Sequence, residues 1–240
     1  MADSKKSGEF RTLIVDTCAL LDIVRAPVRS SITPGQIQHA LEIESVLSIS
    51  PQPIRVIVCN WVSGEYHRGV EGVIQDVRQQ LKSMRVSHRQ AVDVMAVHRS
   101  ETLDQSDIDG WIEMIILHGK TVADSFIQLS PQMMATDEDE RLAAQRTRLA
   151  RAPAHKGKGS LADAVVTEFA LRIASEEGLD SDGKPLAVLL SSNTKDFCDG
   201  KRLKPDLQTE FDIAGLGFAS TWTIARSACI PSKFNTSYVA

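Results

Sequence analysis

A short apolar run meets an acid near the start of the chain, in Arg11-Thr-Leu-Ile-Val-Asp16-Thr-Cys-Ala-Leu-Leu-Asp22. Leu13-Ile14-Val15 is typical of a strand that is buried on both faces, and a helix-like Ala19-Leu20-Leu21 follows. Ligands of open parallel sheets bind beyond the carboxyl ends of the strands, so Asp16 is expected on the floor of a site. The alternative is that Asp16 caps the helix that follows it.

Further apolar runs predict four more strands. They are Ile54–Cys59, Phe126–Leu129, Pro185–Leu190 and an edge strand at Phe218–Ile224. Between the first two strands, Thr33-Pro34 predicts a helix start, because threonine is a good cap and proline suits the first helical position. Asn60 is predicted to cap the helix that carries Glu65.

The length of 240 residues is compatible with one large α/β domain or two small ones. We expect a single domain over residues 11–230, with a disordered tail at 1–10 and a C-terminal tail at 231–240. Residues 73–125 have a helical pattern and are interpreted as an elaboration on a smaller core, with Ser87 as a candidate cap inside it.

Composition limits the function classes. The net charge of -4 excludes a strongly basic nucleic-acid binder but not a local basic patch. No apolar run approaches the roughly 20 residues that a membrane span needs, so no membrane partner is expected. The four scattered cysteines favour a reducing cytoplasm over a disulfide scaffold, and a thiolate metal site at Cys18, Cys59 and Cys198 is the less favoured alternative.

A change of charge sign follows the acidic helix start at Thr136-Asp-Glu-Asp-Glu140. Basic residues recur from Arg141 to Lys158. This stretch is either a solvated helix face or a ridge that contacts phosphates, and the candidate contacts are Arg151, Lys156 and Lys158.

Four acids are expected at one edge of the sheet. Asp16, Glu65 and Asp196 follow strand ends, and Asp163 lies in the first turn of a predicted helix. Three of them also have a local explanation: Asp16 as a helix cap, Asp163 through its capping-box spacing from Ser160, and Asp196 through turn chemistry. Two carboxylates about 4 Å apart repel by roughly 4 kcal/mol at an effective dielectric constant near 20. Protonation or a divalent cation would relieve this repulsion, and oxygen ligands favour Mg²⁺ or Mn²⁺.

The chain resembles the PIN-domain ribonucleases, in particular the longer PIN-like branch. The resemblance spans about residues 11 to 225 and rests on four pieces in the same order: Leu13-Ile-Val-Asp16-Thr-Cys-Ala-Leu-Leu, Val58-Cys-Asn-Trp-Val-Ser-Gly-Glu65, Gly159-Ser-Leu-Ala-Asp163-Ala-Val-Val and Leu189-Leu-Ser-Ser-Asn193-Thr-Lys-Asp196-Phe. One departure is Ala162 before the third acid, where the family commonly has glycine.

This resemblance implies an α/β/α three-layer sandwich around a parallel sheet of about five strands. It also implies metal-dependent phosphodiester cleavage, usually of RNA. Asp16, Asp163 and Asp196 would hold Mg²⁺ or Mn²⁺, and Glu65 would serve a second ion or orient the attacking water. Asn193 and Thr194 would hydrogen-bond a ligand carboxylate or a phosphate oxygen.

The resulting hypothesis is an endoribonuclease that cuts single-stranded or structured RNA in the cytoplasm. A toxin with an antitoxin partner, another stress or defence role, and a homodimer are compatible with it. The alternatives are a structure-specific DNA nuclease and a nucleic-acid-binding module without turnover. An aspartyl-phosphate enzyme is set aside, because Cys18 occupies the place where a second aspartate is expected.

Overall fold

A five-stranded parallel sheet forms the centre of the computed structural model, which describes residues 10–99, 108–154 and 161–230. Its strands are β1 (Arg11–Val15), β2 (Ile54–Cys59), β3 (Gln132–Met133), β4 (Ala187–Leu190) and β7 (Leu216–Ala219). The strand order is β3-β2-β1-β4-β7, and every neighbouring pair is parallel. A separate antiparallel hairpin consists of β5 (Cys198–Asp199) and β6 (Arg202–Leu203).

Nine helices accompany the strands in the described ranges. They are α1 (Thr17–Arg25), α2 (Pro34–Leu47), α3 (Asn60–Arg99), α4 (Ile108–Leu129), α5 (Asp137–Arg148), α6 (Leu161–Glu177), α7 (Thr194–Phe197), α8 (Pro205–Ala214) and α9 (Trp222–Cys229). Helix α2 packs against α9 and α4, and helix α6 packs against α5 and α8. This α/β arrangement around a parallel sheet is compatible with the expected three-layer sandwich.

The core lies where these helices cover the sheet. Leu13, Ile14 and Val15 of β1 are fully buried, as is Ile57 of β2. The apolar runs therefore predicted these strands correctly, because a central parallel strand must be apolar on both faces. In α4, Gly119 allows a close approach to α1, since a Cβ there would lie 3.3 Å from the carbonyl oxygen of Ile23.

Two strand predictions are corrected by the structure. Phe126–Leu129, predicted as the third strand, is the last turn of α4, and the short strand β3 follows it. The buried residues Val122, Ala123, Phe126 and Ile127 recur at helical spacing, which the four-residue window did not reveal.

The predicted edge strand at Phe218–Ile224 is also too long. Strand β7 ends at Ala219, and α9 begins at Trp222, because the Thr221 hydroxyl caps the helix by accepting a hydrogen bond from the Ile224 backbone N–H at 3.3 Å.

Two predicted caps differ from the structure, whereas two others agree with it. Asn60 is the first residue of α3 rather than its cap, and Ser87 lies inside α3. Thr33 caps α2, and Thr136 forms a capping box with Asp139. The described parts of residues 73–125 belong to α3 and α4, as the helical pattern predicted.

The predicted tails fall outside the described residues, apart from Phe10. None of the helices in the described ranges combines the length and the apolarity that crossing a bilayer requires.

Candidate functional site

The strand order reverses direction between β1 and β4, which makes this pair the switch point of the sheet. Val15 pairs with Leu190, so the two strands end side by side. The next residues are Asp16 and Ser191. In open α/β sheets the crevice beyond the carboxyl ends at such a point is where ligands bind, so Asp16 and Ser191 stand at the expected position of a site.

Asp16 is almost fully buried and is held by three donors. Its Oδ1 accepts a hydrogen bond of 2.7 Å from the Thr17 backbone N–H, so it caps α1. Its Oδ2 accepts from Ser191 Oγ at 2.7 Å and from Cys18 Sγ at 2.9 Å. The two interpretations of Asp16 are therefore compatible: one oxygen caps the helix and the other faces the switch point.

Glu65 reaches the same place from the second turn of α3. Its Oε2 accepts a hydrogen bond of 2.7 Å from the Thr17 hydroxyl. Thr17 therefore links the two acids, with its backbone N–H on Asp16 and its hydroxyl on Glu65. The sequence signal for this link is the threonine directly after Asp16, and the residue pattern alone does not reveal its contact with Glu65.

Asn193 joins the other two acids. Its side-chain amide donates to Asp196 Oδ2 at 2.9 Å and to Asp163 Oδ2 at 3.4 Å. Its backbone N–H donates to Ser191 Oγ at 3.3 Å, and Ser191 in turn donates to Asp16. A continuous chain of hydrogen bonds thus runs through all four predicted acids, which we call the acid cluster (Asp16, Glu65, Asp163 and Asp196).

The electrostatics agree with this proximity. The pKa of Asp163 is raised to about 7, chiefly by burial and also by the charges of Asp16, Glu65 and Asp196, while the Asn193 hydrogen bond acts in the opposite direction. The pKa of Asp16 is also raised, chiefly by burial and in part by the charge of Glu65. The ionised cluster is thus unfavourable by itself, and a cation would offset the repulsion.

The acids are bridged by hydroxyl and amide groups rather than packed against each other. Within the part of the chain that the structure describes, no three His, Cys, Asp or Glu side chains come close enough together to form a metal-binding group. The four carboxylates are nevertheless the residues whose oxygens suit Mg²⁺ or Mn²⁺.

The cysteines do not support a thiolate site. Burial strongly raises the pKa of the Cys18 thiol, and the Asp16 charge beside it acts in the same direction. Cys59 is buried with its sulfur 3.4 Å from the side-chain oxygen of Asn60. Cys18 therefore acts here as a neutral donor to Asp16, a role that the sequence did not reveal.

The other residues predicted for the site are Thr194, Arg151, Lys156 and Lys158, and the structure describes the first two of them. Thr194 is exposed at the start of α7, next to the acid cluster. Arg151 pairs with Glu210, so its charge is already partly compensated. Lys156 and Lys158 lie outside the described residues, as does Ser160, the predicted capping partner of Asp163.

A second group of cations was missed by the sequence analysis. Lys195 on α7 and Lys201 and Arg202 on the β5–β6 hairpin are exposed, and we call them the basic hairpin. Gly200, with a φ of 64°, allows the tight turn between the two strands. The hairpin follows directly on α7, the helix that carries Asp196, so these cations are close to the acid cluster along the chain.

Comparison of the chain with protein-family models, with curated proteins and with solved structures finds no match. The resemblance to PIN-domain ribonucleases therefore rests on the four sequence pieces alone.

Proposed function

We propose that the chain is a PIN-like, divalent-metal-dependent phosphodiesterase, and specifically an endoribonuclease that cuts single-stranded or structured RNA. The observation that carries the proposal is the hydrogen-bond chain through Asp16, Glu65, Asp163 and Asp196 at the switch point of the sheet. Four acids that are far apart in sequence have no structural need to meet, since their mutual repulsion opposes folding.

The donor set fits Mg²⁺ or Mn²⁺. Asp16, Asp163 and Asp196 would hold the ion, and Glu65 would serve a second ion or orient the attacking water. A cation among the carboxylates would favour their charged forms and would therefore oppose the rise in the pKa of Asp163. When bound, the metal would lower the pKa of a coordinated water and offset negative charge on the phosphate.

The neighbouring side chains would keep the carboxylates in position. Asp16 is fixed by Thr17, Cys18 and Ser191, which leaves little freedom to its side chain. Asn193 sets the spacing of Asp163 and Asp196. Such groups behind metal ligands typically change metal affinity or activity by about 10–100-fold when they are removed.

Basic side chains around the cluster would bind the RNA backbone. The basic hairpin supplies three exposed cations next to Asp196, and Arg151, Lys156 and Lys158 remain proposed contacts. A local patch of this kind is compatible with the net charge of -4, because phosphate binding depends on the nearby field.

The proposal is tested with labelled RNA and DNA, each as single strands and as flap structures, in Mg²⁺, Mn²⁺ or EDTA. We expect metal-dependent cutting of RNA that falls at least about a hundredfold in Asp16→Asn, beyond the loss typical of supporting residues. The matched control is Asp76→Asn, an exposed acid on α3. Cleavage that persists in EDTA or in Asp16→Asn would refute the metal-dependent mechanism.

A module that binds nucleic acid without turnover is the second candidate. It is favoured by the hydroxyl and amide groups that already donate hydrogen bonds to Asp16, Glu65 and Asp196 without a metal. RNA binding without cleavage in any divalent cation would identify this function, and cutting of DNA flaps alone would identify the structure-specific DNA nuclease.

The proposal extends to the wider biological role. A toxin or another stress or defence nuclease would need an antitoxin or regulatory partner, and a homodimer is compatible with the same role. We also propose a cytoplasmic location, because the four cysteines are free thiols. Growth arrest on expression of the wild type, absent in Asp16→Asn, would support the toxin role.

A further inference from the structure

A cavity of about 270 Å³ with a mixed polar and apolar lining lies next to the acid cluster, at the carboxyl ends of β4 and β7. The connection from β4 to α7 separates the two sites. Ser191 and Asn193 of this connection contact the acid cluster, and its residues Ser192 and Thr194 belong to the lining of the cavity. A ligand group in the cavity would therefore be a direct neighbour of a phosphate at the cluster.

The lining of the cavity has no net charge. Asp22 and Arg29 are the charged groups of the lining, and they form an ion pair with each other. Neutral polar residues, among them Gln36, Ser220 and Thr221, and apolar residues such as Ile32 and Trp222 complete the lining. A phosphate group would need a net positive lining, so this cavity suits an uncharged ligand with several donors and acceptors.

The size and the position of the cavity limit which uncharged ligands it can hold. Sites for drug-sized molecules have about 300–1,000 Å³, so this smaller cavity admits a single nucleoside rather than a longer segment. Unstacked bases of single-stranded RNA are commonly read through hydrogen bonds to their edges. The Asp22–Arg29 pair and the Gln36 amide offer both acceptors and donors for such an edge.

We propose that this cavity is a nucleoside subsite that receives the base next to the phosphate at the acid cluster and gives the protein a base preference. This inference rests on the proposed nuclease function for its physiological ligand. The binding of a nucleoside, however, can be measured without any cleavage.

The test titrates the four uncharged ribonucleosides into the protein in EDTA, so that neither a metal ion nor a phosphate contributes. Binding is followed by ligand-observed NMR for the wild type and three variants. Gln36→Met keeps the size of the side chain but removes its hydrogen-bonding groups, and Ser220→Leu fills the cavity. Gln38→Met is the control, because Gln38 is exposed on the same helix outside the cavity lining.

We expect saturable binding of at least one nucleoside to the wild type and to Gln38→Met. Gln36→Met should weaken it by about three- to tenfold, the effect of one lost hydrogen bond. Ser220→Leu should abolish it while the melting temperature shows that the variant is folded. Absence of binding by every nucleoside, or equal losses in Gln36→Met and Gln38→Met, would overturn the proposal even if the protein cleaves RNA.

The cleavage assay separates this inference from the proposed function. If RNA is cut, the base preference beside the cut should change in Gln36→Met and remain unchanged in Gln38→Met, and an unchanged preference in both would overturn the subsite. If nucleosides bind with the expected variant pattern but no nucleic acid is cut, the subsite stands and the nuclease proposal fails.

Discussion

The hydroxyl of Ser191 donates a hydrogen bond of 2.7 Å to Oδ2 of Asp16, across 175 residues of sequence. The two residues directly follow the paired ends of β4 and β1. This bond therefore ties together the two strands at which the sheet order reverses. It also fixes the orientation of the most buried acid of the cluster, which links the stability of the sheet to the geometry of the candidate site.

Replacing Ser191 with alanine should destabilise the protein. Asp16 Oδ2 would keep only the weak thiol donor of Cys18, and the loss of a hydrogen bond to a buried carboxylate costs about 1–3 kcal/mol. The free energy of unfolding is measured by urea denaturation at pH 7. Ser175→Ala is the control, since this exposed hydroxyl bonds only the Leu171 carbonyl of its own helix among the described contacts, and an equal loss in both variants would contradict the assigned role.

Added Mn²⁺ should stabilise the wild type by mass action. A ligand that binds only the folded state contributes about 2.7 kcal/mol at a free concentration one hundred times its Kd. The melting temperature is measured in EDTA and in increasing Mn²⁺. A variant with Asp16→Asn, Glu65→Gln, Asp163→Asn and Asp196→Asn keeps the size of each side chain but should show no rise. An equal rise in this variant would locate the ion elsewhere.

The metal-free protein should lose stability as the pH rises from about 4 to about 7 because of Asp163. Its folded-state pKa is about 7, above the ordinary value of 3.8, so the folded state retains a proton that the unfolded chain releases. The stabilisation is complete below the unfolded-state pKa and is lost as the pH passes through the folded-state pKa. A single retained proton gives a slope of up to about 1.4 kcal/mol per pH unit.

Asp163→Asn isolates this effect, because asparagine resembles the protonated acid at every pH. In EDTA, its unfolding free energy relative to that of the wild type should increase between about pH 4 and pH 7 and then level off. Asp76→Asn, at an exposed position on α3, should remain parallel to the wild type. A constant difference between Asp163→Asn and the wild type would show that Asp163 ionises normally.

The sequence predicted the elements that depend on local pattern. The central strands are continuous apolar runs because both faces are buried, and such runs are visible in a few residues. Phe126–Leu129 was misassigned for the same reason, because four apolar residues at the end of a helix resemble a buried strand. The last strand ends earlier than predicted, because the Thr221 hydroxyl caps the helix that follows it.

The acid positions were predictable, whereas the groups that connect them were not. Strand ends are visible in the sequence, and parallel strands bring their carboxyl ends to one edge. The roles of Thr17 and Ser191 depend on which side chains meet after folding. Ser191 looks like an ordinary turn residue until β4 is placed beside β1.

Replacing Arg146 should destabilise the protein strongly, although it belongs to the basic stretch that suggested phosphate binding. Its guanidinium is buried and contacts Glu168, Glu210 and the Ala152 carbonyl oxygen. Arg146→Met would leave the partly buried Glu168 without its cation and Glu210 with Arg151 alone, at a cost of about 3–5 kcal/mol. Arg141→Met should leave the denaturation midpoint nearly unchanged, because the Arg141–Glu138 pair is exposed. An equally small effect at Arg146 would contradict its structural role.

The basic hairpin should contribute to the salt dependence of RNA binding. Each phosphate contact of a single strand adds about 0.7 to the slope of log affinity against log salt, so Lys201→Gln should lower the slope by about that amount. Lys184→Gln removes the same charge from an exposed position before β4, at the opposite edge of the sheet. Affinities of the Asp16→Asn protein for a short single-stranded RNA, measured at several salt concentrations, compare the two changes. The two variants change the net charge equally. Equal slopes of log affinity against log salt would therefore mean that RNA binding depends on the overall charge and that RNA does not contact the hairpin.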